Sequence, residues 1–173
     1  MPLQTSIAAY PAYGVIGDQF DDGPHRGQPF SLLSANAANN VFGRAFSKID
    51  EGVAAAGNTA TNYVFAGIMV NAKEHALRGD AAGVLNPSLT LPNGVIVTMV
   101  TMGSWFVTLP GAAAIGDLVV FNNTTGILNS IARNAALPVG FSFAYGEVDR
   151  FDVESAGLAV ITLTPGLKPP VLA

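Results

Sequence analysis

The sequence of 173 residues contains no cysteine, which excludes disulfide frameworks, cysteine–zinc sites, iron–sulfur clusters and thiol nucleophiles. Charge is scarce too. Eight basic and twelve acidic side chains make up 12% of the chain, where about 25% is usual for a soluble domain. A net charge of −4 leaves no basic footprint for nucleic acid. The two histidines, His25 and His75, lack the spacing of a metal-binding pair. Neither a GxGxxG nor a GxxxxGK[ST] loop occurs, and no GxSxG elbow. These absences predict no catalytic, cofactor or metal residues, and a protein that is not an enzyme. Long hydrophobic runs are missing as well. The best span, Gly94 to Leu109, falls short of the ~20 residues of a spanning helix. It is broken by Gly103–Ser104 and rich in strand-forming Val, Ile and Thr. No membrane partner is expected. Met1 to Gly17 lacks a basic start and a continuous apolar stretch, so synthesis in the cytoplasm is expected.

What is present is hydrophobic: half of the residues are apolar. From Ala81 to Gly116 no side chain is charged. A compact monomer of this length would expose roughly 8,000 Å². Its charges would then be spread at one per roughly 400 Å², about the largest apolar patch that a monomer tolerates. Much of the surface is therefore expected to be covered by other protein. The Ala81–Gly116 region is expected to supply the domain core and much of a subunit interface.

Nineteen glycines and eleven prolines fall between short apolar runs, a pattern of strands and turns. Strands are predicted at 29–34, 41–49, 64–70, 95–102, 105–109, 117–122, 127–130, 139–149 and 158–164. Gly103–Ser104 reads as a tight hairpin or a bulge, and Val95–Met102 as a strand covered on both faces. Asn71–Gly79 is the one short helix expected, with Asn71 as N-cap and Gly79 as terminator. The fold class is all-β, a small β-barrel or β-sandwich with an extended N-terminal arm and little helix. The expected organisation is an arm over residues 1–28, a β domain over 29–164 and an extended proline-rich tail over 165–173.

Asp18, Asp21 and Asp22 fail the calcium-loop pattern, because Phe20 stands at a ligand position; a turn closed by side-chain-to-backbone hydrogen bonds is the better reading. Asp149–Glu154 reads as a solvated edge or a salt-bridging contact. Trp105 lies in the charge-free stretch, where packing is favoured over sugar stacking. Tyr10, Tyr13, Val15, Ile16 and Phe20 are apolar anchors along the arm. With Trp105 they form the candidate interface to a partner or a second subunit, aromatic residues being the usual anchors of such contacts.

The ordered motifs of the chain carry a resemblance. Ala12–Pro24 (AYGVIGDQFDDGP) is similar to the N-terminal signature of tailed-phage structural cement, or head decoration, proteins. Phe65–Asn71 with Lys73 and Glu74, Val100–Gly103 with Val107–Pro110, Ala114–Val119 before Thr124–Gly126, and Ala156–Leu163 resemble the family in the same order. The resemblance implies a β-rich protein, commonly a homotrimer, on the outer capsid surface of the virion. It further implies that such a protein binds the major capsid protein, making Tyr10, Tyr13, Val15, Ile16, Phe20 and Trp105 the candidate capsid or subunit interface, bridges capsid subunits and stabilises the shell against internal DNA pressure. No catalytic residue comes with it. The alternative is another β-structured virion component, of tail or fibre, or a carbohydrate-binding head module.

Overall fold

A computed structural model describes residues 14–58, 64–70 and 90–167. Among the described residues there are nine strands: β1 (Arg26–Leu32), β2 (Ala45–Asp50), β3 (Val53–Ala56), β4 (Phe65–Met69), β5 (Ile96–Leu109), β6 (Leu118–Asn122), β7 (Leu128–Ile131), β8 (Phe141–Arg150) and β9 (Gly157–Leu163). A single 3-10 turn at Ala37–Asn39 is the only helical element among them. The fold is all-β. The expected helix at Asn71–Gly79 lies outside the described residues, as do 81–89 of the charge-free stretch.

The strands form two bodies that share β5. In the order β1-β3-β2-β4-β5, with β5 returning to β1, five strands close a barrel. The second half of β5 begins another sheet, in the order β5-β9-β8-β6-β7. Inside the barrel Phe30, Phe42, Phe46, Met69, Val97 and Met99 pack against Ala54, Ala56 and Ala66. Small and large residues alternate because a barrel this narrow has little interior to fill. That explains β3, which is absent from the predicted strands. Alanine is a poor strand former, yet Ala56 pairs with Phe46 and leaves room for its ring.

The Gly103–Ser104 hairpin does not form. β5 runs straight through these residues: Met102 pairs with Arg26 of the barrel, and Gly103 with Leu163 of the second sheet. Gly103 sits at φ +107°, a region that side chains with a Cβ rarely adopt, and a Cβ there would lie 3.0 Å from that of His25. The strand changes sheets at this glycine.

Burial along β5 also corrects the sequence expectation. Val95–Met102 is covered on both faces only at Met99–Val100: Val97 and Met99 point into the barrel and Val100 into the core beyond it, while Thr98 is exposed and Ile96 is 65% exposed. The longer run buried on both faces is Ser104–Val107.

A larger core joins the bodies, where Ala45, Ile68 and Val100 of the barrel wall meet Val107, Leu109, Phe121, Ile161 and Leu163 of the sheet. Phe65 bridges to Phe121 and Tyr145 with ring centroids 5.9 and 5.8 Å apart. The turn between β6 and β7 is pressed onto β2, where Ala45 N–H donates to Gly126 O at 2.9 Å. Gly126 is required there, since a Cβ would run into the Ala45 carbonyl.

Candidate interaction surface

The described part of the arm is held as an extra strand. Gly17 N–H donates to Phe106 O at 2.8 Å, Phe106 N–H to Asp18 O at 3.0 Å, and Phe20 N–H to Ser104 O at 2.9 Å. Backbone amides exposed on the edge of β5 thereby find partners. Phe20 meets Phe106 edge-on at 5.4 Å, with the Arg150 guanidinium 5.1 Å from the Phe20 ring centre. The arm thus covers the outer face of β5 and buries Phe106 to 6% exposure. Removing a Phe side chain from water in this way contributes about 1.5–3 kcal/mol.

The predicted anchors are divided by this arrangement. Tyr10 and Tyr13 lie outside the described residues. Val15 is 53% exposed, whereas Ile16 is half-buried and reaches Gly43 on the barrel side. Phe20 is half-buried against Phe106. Trp105 pairs its backbone with Gln19, but its indole is 5% exposed and packs in the shared core. Its Nε1–H donates to Met102 O at 3.2 Å, and His25 stands edge-on at 6.1 Å. Packing therefore accounts for this tryptophan within the chain.

The acidic segments serve turns. Gly23 N–H donates to Asp21 Oδ1 at 3.0 Å, and Ile115 N–H to Asp152 Oδ1 at 2.9 Å, fastening the loop before β6. Arg150 lies 3.6 Å from Asp149.

Three further exposed apolar places escape the sequence reading. The β7–β8 loop carries Leu137 and a wholly exposed Val139, a residue predicted to lie within a strand. Its one charge, Arg133, is engaged by Glu147. Leu33 and Ile96, 55% and 65% exposed, face outward from the barrel wall. The third is a groove of about 260 Å³ between barrel and sheet, lined by Ile16, Val41, Thr108, Ile127 and Leu128, with Arg44 on its wall. Arg44 Nη1 donates to Asn39 Oδ1 at 2.9 Å and to Thr125 O at 3.2 Å. Burial draws this guanidinium below the ordinary arginine value. The absence of charge in 134–140 was a legible signal for the first place. The other two depend on strand pairing.

Residues 3–164 match the family model of the structural cement protein (E217 gp24/Pam3 gp6). The chain belongs to this family of phage structural proteins. Among solved structures it is similar to a chain in the capsid of Myoviridae phage XM1, with a TM-score of 0.62 and 16% identity over 95% of this chain and 99% of that one. That likeness shows a shared fold. The head fiber gp8.5 N base of bacteriophage phi29 is a more distant neighbour, with a TM-score of 0.45 and 12% identity over 82% of this chain and 95% of that one. No curated protein sequence matches the chain. Family membership agrees with the cement resemblance, and the two body-joining motifs of that resemblance, Val100–Gly103 and Thr124–Gly126, are the strand switch and the pressed turn.

Proposed function

We propose that the chain is a non-enzymatic cement of a phage head. It binds the outer surface of the shell, bridges neighbouring major capsid protein subunits as a homotrimer and stabilises the shell against internal DNA pressure. It is made in the host cytoplasm and resides in the virion. The observation that carries this reading is the match to the cement family over residues 3–164. The sparse charge and the exposed, uncharged Leu137–Val139 and Leu33–Ile96 places support it. Many copies on one lattice hold firmly even where each contact is modest.

In this reading the arm over residues 1–28 docks through its beginning and joins the body where β1 starts at Arg26, 29–164 is the rest of the folded body and 165–173 a second extension. Tyr10, Tyr13 and Val15 reach a partner, while Ile16, Phe20 and Trp105 fix the arm that presents them. Deleting residues 1–13 preserves the pairing of Gly17–Phe20 with β5, so it separates binding from folding. On heads of the parent phage stripped of this protein, the intact chain is expected to fill sites at the three-folds in a cryo-EM map. The deletion variant is expected to melt at the same temperature and to leave those sites largely empty. Full occupancy by the deletion variant would overturn the role of the arm. Failure of the intact chain to bind the heads would overturn the cement reading itself.

A further inference from the structure

Arg44 stands just before β2 and presents a cation at the wall of the groove between barrel and sheet. Both of its hydrogen bonds leave from Nη1 and end on neutral oxygens, Asn39 Oδ1 and Thr125 O. Arginine carries five N–H donors in a planar fork; Nε and Nη2 of Arg44 find no hydrogen-bond partner among the described residues. The other arginines near carboxylates are engaged, Arg133 with Glu147 and Arg150 with Asp149. Arg44 forms no ion pair among the described residues. Its two bonds fix the plane of the guanidinium against the β6–β7 turn, at a groove whose walls include Ile16, Val41 and Ile127.

A partly desolvated cation without a counter-ion is costly, and a carboxylate meeting the fork in two parallel hydrogen bonds offsets that cost. We infer that this groove receives an aspartate or glutamate side chain of the capsid protein, flanked by apolar residues, with Arg44 as its bidentate partner. The choice of a carboxylate rests on charge complementarity. Residues 1–13, which lead into the arm beside Ile16, contain no acidic side chain, so the arm's own beginning does not supply a carboxylate. The inference rests on the cement reading and adds to it a specific anchoring contact.

The test uses full-length protein and stripped heads of the parent phage. Arg44→Met is expected to weaken binding at least tenfold, and Arg44→Lys, which keeps the charge and loses the fork, to fall between it and the wild type. Because Arg44 also fastens the turn, a second pair of variants leaves it in place. Ile127→Glu puts a carboxylate into the groove from a position that is 37% exposed. It is expected to weaken binding as much as Arg44→Met does, without lowering the melting temperature. Ile127→Gln, of the same size and uncharged, is expected to stay within threefold of the wild type. Raising the salt concentration should weaken the wild type more steeply than Arg44→Met. Wild-type binding with unchanged affinity for both Arg44→Met and Ile127→Glu would overturn the inference and leave the cement reading standing. A wild type that does not bind at all removes both. If Ile127→Glu instead converts an oligomer to a monomer in light scattering, the groove receives a second copy of this chain and the capsid contact is refuted.

Discussion

The two halves of β5 belong to one strand and both carry Val and Thr, the first with Met and the second with Trp and Phe, yet they meet different surroundings. From Ile96 to Thr98 one face lines the barrel and the other looks outward, with Ile96 and Thr98 exposed, before Val100 turns that second face into the shared core. From Ser104 to Val107 both faces are buried, one by the shared core and the other by the arm. Local sequence does not separate these cases. The difference is made by Gly17–Phe20, far away in the chain, which pairs with the second half where β1 pairs with the first and lays the Phe20 ring over Phe106.

The largest way to break this contrast is Phe106→Ala. It removes a ring packed on Phe20 and is expected to cost about 3–5 kcal/mol in urea unfolding. It should also raise hydrogen exchange at the amides of Gly17 and Phe20, which now bond to β5. Gly103→Val, at the point where the strand changes sheets, is expected to cost about 1–3 kcal/mol through its positive φ. It is measured by the same titration, and a cost near zero would mean that the strand switches elsewhere. Ile96→Lys in the outward-facing half is expected to change stability by no more than about 0.5 kcal/mol. If thermal denaturation instead showed a loss approaching that of Phe106→Ala, the outward face would be covered in solution by another copy. The comparison would then be one between two kinds of cover.

Much of the architecture is legible in the residues. The β-branched and aromatic runs mark eight strand regions, and the glycine and asparagine turns mark where they end. Asn122, for example, closes the β6–β7 turn by accepting from the N–H groups of Thr124 and Thr125 at 2.9 and 3.0 Å. β3 is not legible, because Val53–Ala56 is chosen for smallness beside Phe46 and not for strand propensity. The Gly103 hairpin fails for a related reason. A glycine inside an apolar run marks a tight turn or a sheet change equally well, and only the partners on either side decide. Of the interface anchors, Val15 is found at the surface, while Trp105 is turned inward. Aromatic character alone does not tell an anchor from a core residue.

The sequence by itself determined the strand-rich class, the family through its ordered motifs, and the poverty of charge that asks for cover by other protein. These follow from side-chain type and local order, which a linear reading contains. Tertiary structure alone decided which surface the arm covers, where β5 passes from barrel to sheet, and that Arg44 stands at the groove with half its fork unused. Each depends on residues distant in the chain, Gln19 beside Trp105, Arg26 and Leu163 beside Met102 and Gly103, Thr125 beside Arg44. Such pairings are set by the closing of the two sheets, which no local preference encodes.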